Sequence, residues 1–112
     1  MLTFDCLIYN EDRHFGNFGV LIDNKTNKIL GAAPIFDNGN SLFHYAMKND
    51  MENLENYAKT RSNPYGISFD ELVKNVIGDK QIQLLRKMQS FKFTKHEKYN
   101  WPENRLLKIE QF

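Results

Sequence analysis

The sequence predicts an α+β fold that is mainly helical and contains one β-hairpin. Two short stretches with apolar strand character, residues 18–23 and 28–33, flank a turn-forming run of Asn, Lys and Thr at 24–27, which is the pattern of a hairpin. Apolar residues at helical spacing come before this region and return after it. The 112 residues, of which 41% are hydrophobic, have the size and apolar content of a single domain, residues 1–112.

A helix is predicted at the N-terminal end of the chain. Phe4, Leu7 and Ile8 are spaced so that they share one helical face, and the pattern stops near Asn10. We therefore expect the last turns of a helix, followed at once by a polar loop and then by the hairpin.

The segment after the hairpin is predicted to return briefly to strand and then to turn sharply. Pro34 interrupts the strand pattern, and Ile35–Phe36 resumes it. Residues 37–40, with the sequence Asp-Asn-Gly-Asn, are of the types that form turns and tolerate positive φ, so a tight loop is expected there.

The second half of the chain is predicted to be helical. Ser68 and Glu71 have the spacing of a capping box, in which each side chain bonds the other residue's backbone amide, and Gly78 is a natural helix stop. Four helices are expected: a short one over 51–59, one from the Ser68 cap to Gly78, one from Asp79 to about Ser90, and a last one from Pro102.

The net charge is +1, yet basic residues gather in the second half. Between residues 80 and 98, six Lys and Arg side chains accompany a single acid, Glu97. Such a stretch could face a polyanion, although a solvated helix face and a solvated loop explain it as well, and we favour the latter. We therefore expect no direct nucleic-acid binding, and we interpret four nearby aromatic residues as buried: Phe91, Phe93, Tyr99 and Trp101.

Membrane and secreted proteins are disfavoured by the sequence. No run of about 18 apolar residues occurs, and Asp5 comes too early for the apolar region of a secretory signal. The single Cys6 cannot form an internal disulfide, which fits a reducing compartment. A cytoplasmic location is expected.

The chemistry is concentrated in Asp12, Asn17 and Asp37. In a kinase catalytic loop, an Asp that accepts the substrate hydroxyl proton lies five residues before an Asn that binds Mg²⁺, and a further Asp beyond a hairpin bridges metal and phosphates. These three residues occur in that order and at that spacing. Their oxygen atoms are the ligands that Mg²⁺ takes.

The spacing alone is weak, because the chain has thirteen Asn and seven Asp and the same five-residue step recurs at Asp5–Asn10 and Asp70–Asn75. Those two pairs lie within predicted helices. Only the Asp12–Asn17 pair has a helix before it, a strand directly after it, and a hairpin that leads to Asp37.

The stretches Asp-Arg-His-Phe-Gly-Asn-Phe-Gly at 12–19 and Ala-Pro-Ile-Phe-Asp-Asn-Gly-Asn-Ser-Leu at 33–42 resemble the C-terminal lobe of HipA-type serine/threonine kinases, the toxins of bacterial toxin–antitoxin pairs. The Asp-Arg-His-x-x-Asn form is also similar to the catalytic loop of phosphatidylinositol kinases. The resemblance is specific over residues 4–43. It implies a protein-kinase-like C-lobe, with Asp12 as the catalytic Asp and with Asn17 and Asp37 as metal ligands.

Three further residues support the loop by this resemblance: Arg13, His14 and Gly39. Arg13 could pair with a carboxylate or lie against phosphate, and the sequence does not decide between them. His14 is interpreted as a structural residue rather than a zinc ligand, because Cys6, His44 and His96 are scattered. Asp12, Asn17 and Asp37 could each instead only brace a loop or a turn. Four Phe residues are interpreted as core rather than as ligand-stacking surfaces: Phe15, Phe18, Phe36 and Phe43.

The resemblance implies Mg²⁺ and ATP as cofactors of the complete kinase and a protein hydroxyl as substrate. The 112 residues contain no G-x-G-x-x-G loop, and their first lysine, Lys25, follows the catalytic loop. We therefore expect a C-lobe fragment, inactive on its own, whose partner is an N-lobe or an antitoxin that is encoded separately.

The alternative is a noncatalytic module that uses the same scaffold to bind such a partner, and the neighbouring genes would discriminate between the two. In both cases Phe4, Leu7 and Phe36 are expected to be exposed, so self-association is predicted. If the kinase interpretation holds, Asp12, Asn17 and Asp37 converge on one cleft, with the two carboxylates no more than about 12 Å apart.

Overall fold

The computed structural model describes all 112 residues, and it is α+β, mainly helical, with one two-stranded antiparallel hairpin. The elements in chain order are α1 (Leu2–Ile8), a 3₁₀ turn (Phe15–Asn17), β1 (Val20–Ile22), β2 (Ile29–Ala32), α2 (Lys48–Glu52), α3 (Leu54–Lys59), α4 (Phe69–Val76), α5 (Asp79–Arg86) and α6 (Glu103–Gln111). None of these helices has the length and apolar character needed to span a bilayer.

Helix α1 ends at Ile8, close to the predicted end near Asn10, and the residue that caps it connects the two parts of the core. Tyr9 caps α1 in the left-handed conformation, with φ 51°, which turns the chain toward the loop that follows. Its ring lies 4.7 Å from the ring of Phe43 and 4.7 Å from that of Phe69, measured between centroids. Tyr9 thereby joins the two hydrophobic clusters of the molecule.

Those two clusters are small. One contains Cys6, Phe69 and Leu72 between α1 and α4, and the other contains five residues that follow the hairpin: Phe43, Ala46, Met51, Leu54 and Ala58. The radius of gyration is 16.2 Å, whereas a compact domain of this length has about 13 Å. Much of the apolar surface therefore lies outside the core.

The hairpin is confirmed, but it stands away from the core. Strand β1 pairs with β2 through Val20 opposite Ala32 and Leu21 opposite Gly31, and an irregularity follows Leu21. Every residue of both strands is exposed. In the turn, the Asp23 carboxylate accepts hydrogen bonds from the amides of Thr26 and Lys25, which lower its pKa.

Several predicted boundaries are wrong. Ile35–Phe36 does not return to strand, and the helix predicted over 51–59 is two helices, α2 and α3. The break falls at Asn53, whose side chain accepts from the Asn56 amide and so caps α3. Helix α5 ends at Arg86 rather than near Ser90.

The cap of α4 is half of the predicted capping box. The Ser68 hydroxyl accepts from the Glu71 amide at 3.1 Å, as expected, but the return bond from the Glu71 side chain is not formed. Gly78 lies one residue beyond the C-cap of α4 and serves as the N-cap of α5.

The expected burial of aromatic residues is wrong at most of the positions. Phe43 is buried, whereas Phe15, Phe18 and Phe36 are exposed, Phe15 to 84%. The exposure of Phe4, Leu7 and Phe36 that was expected for a lobe without its partner is observed. In the C-terminal region, Phe91 and Tyr99 are exposed, and Phe93 and Trp101 are only partly buried.

Helix α6 is bonded to the segment between the hairpin and α3, over residues 43–51. The Arg105 guanidinium donates to the carbonyls of Phe43 and Ala46 and lies 4.6 Å from the ring of Trp101. Lys108 donates to the Met51 carbonyl at 2.9 Å. These bonds hold the chain between Phe43 and α2 in place.

Candidate functional site

A buried ion pair lies beneath the candidate site. The side chains of Arg13 and Asp5 are 1% and 2% exposed, and the Arg13 Nη2 and Asp5 Oδ1 atoms are 3.0 Å apart. The Arg13 Nε also donates to both carboxylate oxygens at 3.1 Å, and Asn10 donates to Oδ1 at 3.0 Å. The sequence does not decide whether Arg13 pairs with a carboxylate or lies against phosphate, and in the structure it pairs with the Asp5 carboxylate.

Arg13 also joins the two ends of the hairpin. Its Nη1 donates to the carbonyl of Asn17, just before β1, and to the carbonyl of Phe36, after β2, the latter at 2.6 Å. Its Nη2 donates to the side-chain oxygen of Asn38. Two carbonyl oxygens bonded to one nitrogen are near neighbours, so the chain around Asn17 and the chain around Asp37 meet at Arg13.

Asp12 is held in the loop between α1 and the 3₁₀ turn. Its amide donates to the Asn10 side chain at 3.1 Å, and its carbonyl accepts from the Asn17 side-chain amide at 2.8 Å. Its carboxylate Oδ2 accepts from the Asn40 side chain at 3.3 Å, and its Oδ1 lies 3.8 Å from His14 Nε2. The Asp12 side chain remains 41% exposed, so its carboxylate is accessible from solution.

Asn17 ends the 3₁₀ turn and is 6% exposed. Its side-chain nitrogen is committed to the Asp12 carbonyl, whereas no hydrogen bond occupies its Oδ1. Asn17 therefore keeps an oxygen of the kind that Mg²⁺ binds.

Asp37 lies between the two residues that contact Arg13, namely Phe36 and Asn38. Its backbone is in the left-handed region, with φ 53°, which Asp tolerates better than most residues and which confirms the expected positive-φ turn. The residue is exposed, and no hydrogen bond occupies its carboxylate. Asp37 is therefore available to a ligand at the same end of the hairpin as Asn17.

The loop after Asp37 is bonded back to the chain before Asp12. The Glu11 amide donates to the Asn40 carbonyl at 3.0 Å, and the Leu42 amide donates to the Ile8 carbonyl at 2.6 Å. Leu42 and Phe43 both have positive φ, 53° and 57°, a costly backbone that persists only when its surroundings hold it. Burial raises the pKa of the neighbouring Glu11, an effect that is countered by the Arg61 guanidinium at 3.6 Å.

His14 and Gly39 differ in how the structure uses them. The His14 Nδ1 accepts from the Gly16 amide at 3.0 Å, so this side chain braces the loop as expected. A methyl group at Gly16 would lie 2.9 Å from His14 Cε1, so the His14 ring would have to shift to admit one. At Gly39 a methyl group would meet nothing within 4 Å, and no contact gives that glycine a role.

The sequence interpretation missed several residues of this site. Asp5 had no clear signal, because the apolar spacing of Phe4, Leu7 and Ile8 predicts a different inner face for α1, whereas the structure buries Asp5 and Cys6. Asn10, Asn38 and Asn40 had none, because the chain is rich in Asn and their partners are set by the tertiary fold. No group of three or more His, Cys, Asp and Glu side chains lies close enough to hold a metal ion; the candidate set has two carboxylates and one amide.

A search of family models, of curated proteins and of solved structures found no match to this chain. The interpretation of the site therefore depends on the residues themselves and on the motifs at 12–19 and 33–42.

Proposed function

We propose that this chain is the C-lobe of a HipA-like protein serine/threonine kinase, which transfers the γ-phosphate of ATP to a protein hydroxyl. The observation that carries the proposal is the set of bonds made by Arg13. One guanidinium joins the Asn17 backbone to Phe36 and Asn38, on either side of Asp37. Phosphoryl transfer requires this kind of convergence, since it depends almost entirely on positioning and charge stabilisation.

Each residue has a role that suits its surroundings. Asp12 accepts the proton of the substrate hydroxyl, and its partly exposed carboxylate is accessible for this. Asn17 Oδ1 and the Asp37 carboxylate, which no hydrogen bond occupies, would hold Mg²⁺. The bound ion would neutralise charge on the phosphates. Arg13 and His14 act indirectly, by holding the loop.

A second lobe is part of the proposal. The 112 residues contain no phosphate-covering loop, and the apolar side chains around the hairpin are uncovered. Nine exposed apolar side chains follow one another around and along the hairpin: Phe15, Phe18, Val20, Leu21, Ile22, Ile29, Leu30, Ile35 and Phe36. A two-stranded hairpin is marginal by itself, and large exposed apolar patches mark interaction surfaces.

The same surface favours a second candidate function, a noncatalytic module that binds an N-lobe or an antitoxin. In that case the hairpin would be needed for binding, whereas Asp12 and Asp37 would not be. The two candidates therefore differ in the effect of substitutions at the two carboxylates.

The test is phosphorylation of protein Ser or Thr in the presence of Mg-ATP. The chain alone is expected to be nearly inert, and the chain together with its N-lobe, encoded beside it or joined to it, is expected to be active. Asp12→Ala should abolish that activity and Asp79→Ala, at an exposed carboxylate in the first turn of α5, should not. An active pair that is indifferent to Asp12→Ala would refute the proposed role of Asp12, and robust activity of the chain alone would refute the need for a second lobe.

A further inference from the structure

Asn40 lies 28 residues after Asp12, and its side chain is engaged at both ends of its amide. The Asn40 Nδ2 donates to Asp12 Oδ2 at 3.3 Å, and its Oδ1 accepts from the Tyr45 hydroxyl at 3.2 Å. The Asp12 carboxylate only accepts hydrogen bonds, so it sets the orientation of the amide, because a flipped amide would place its oxygen against the carboxylate. The Tyr45 hydroxyl then donates to the Asn40 oxygen in that orientation.

The backbone of Asn40 is fixed as well. Its carbonyl accepts from the Glu11 amide at 3.0 Å, and Glu11 is the residue directly before Asp12. The side-chain bond and the backbone bond together connect the loop after Asp37 to Glu11 and Asp12.

A second side chain, that of His14, lies near the other carboxylate oxygen of Asp12. His14 Nε2 lies 3.8 Å from Asp12 Oδ1, and His14 Nδ1 is occupied as an acceptor by the Gly16 amide. A neutral His14 therefore carries its proton on Nε2, facing Asp12. This contact is longer than a hydrogen bond, so the bond from Asn40 is the one that fixes the carboxylate.

We propose that Asn40, whose amide oxygen is held by the Tyr45 hydroxyl, is the positioning residue that holds the Asp12 carboxylate for proton transfer. The inference rests on the proposed kinase function and adds two residues to it. Oδ2 is held by Asn40, and Oδ1 is left to accept the proton of the substrate hydroxyl.

The proposal predicts an effect on the rate rather than on substrate binding. Hydrogen bonds to charged groups contribute enough for the loss of one to lower kcat by about ten- to a hundredfold. Asn40→Ala should lower kcat by that factor with KM nearly unchanged. Tyr45→Phe should lower kcat severalfold, and it should have no further effect when Asn40 is already Ala.

The first arm of the experiment uses the 112-residue chain and needs no activity. In ¹⁵N-labelled protein, the Asn40 side-chain amide resonance should move on Asp12→Ala and on Tyr45→Phe, and should stay in place on Tyr99→Phe, which removes an exposed hydroxyl. An Asn40 resonance that ignores Asp12→Ala would overturn the proposed contact.

The second arm uses the active two-lobe kinase and compares Asn40→Ala with Asn75→Ala, at an exposed asparagine of α4. A kcat of Asn40→Ala within twofold of the unsubstituted enzyme, or a loss confined to KM, would overturn the positioning role. If the unsubstituted pair is inactive, the proposed function fails, and the first arm still decides whether Asn40 holds Asp12.

Discussion

Replacing Arg13 with Met should destabilise the protein strongly. The side chains of Arg13 and Asp5 are 1% and 2% exposed, so water cannot compensate for the loss of either. Arg13→Met leaves the Asp5 carboxylate buried with Asn10 as its one remaining side-chain donor. Breaking a buried ion pair in this way costs about 3–5 kcal/mol.

That cost is a large share of the free energy of unfolding of a domain, which is typically about 5–15 kcal/mol. A second substitution, Asp5→Asn, made together with Arg13→Met, tests whether the unpaired charge of Asp5 causes the loss of stability. It removes the unpaired charge and keeps an oxygen that can accept from Asn10. The double variant should therefore be more stable than Arg13→Met alone, although it carries one more change.

Urea unfolding followed by circular dichroism measures both variants. Arg61→Met is a matched control, because Arg61 is more exposed and its partner Glu11 is 3.6 Å away, so about 1 kcal/mol or less is expected. A loss below about 1 kcal/mol for Arg13→Met, or a double variant less stable than the single one, would refute the argument from the buried charge.

Three further outcomes are expected. Burial raises the pKa of the Cys6 thiol to about 11, so a thiol reagent at pH 8 should react only after unfolding, and rapid labelling of the native protein would contradict this. The contribution of Cys6 to the free energy of unfolding should be full below pH 9 and should fall as the pH rises toward 11. Ser68→Ala should cost about 1 kcal/mol in urea unfolding through loss of the α4 cap, and no loss would show that the cap is dispensable. Phe4 and Leu7 line an apolar groove of about 520 Å³, so the chain should self-associate, and Leu7→Glu should weaken this in light scattering; a clean monomer over a wide concentration range would refute self-association.

The local elements could be predicted because their signals are local. The hairpin follows from the alternation over 18–23 and the turn at 24–27, and the end of α1 follows from the loss of apolar spacing at Asn10. The break at Asn53 was missed, because an asparagine reads as an ordinary polar helix residue until its side chain is seen to cap the next helix.

The burial of aromatic residues could not be predicted in the same way. Phe15 and Phe43 look alike in the sequence, yet one is exposed and the other is in the core. The difference arises because the 3₁₀ turn that carries Phe15 contributes to neither hydrophobic cluster, whereas Phe43 belongs to one of them. No periodicity within a short segment reports where that segment lies in the fold.

The candidate site could be predicted only in part, because the sequence shows the order of its residues along the chain but not their contacts. The order of Asp12, Asn17 and Asp37 along the chain is a sequence property, and it led to the end of the hairpin. Two features could not be predicted, because they depend on contacts between separate segments. These are the pairing of Arg13 with Asp5 rather than with a phosphate, and the bond from Asn40 to Asp12.

Line broadening by Mn²⁺, which takes the same oxygen ligands as Mg²⁺, tests the central claim most directly. Added with ATP to the ¹⁵N-labelled chain, Mn²⁺ should broaden the backbone resonances of Asp12, Asn17 and Asp37 before others. Asp37→Ala should abolish this effect, and Asp23→Ala, the control in the hairpin turn, should leave it unchanged. Broadening centred elsewhere, such as on the acidic residues of α2, or broadening that survives Asp37→Ala, would contradict the assignment of these residues to a metal and phosphate site.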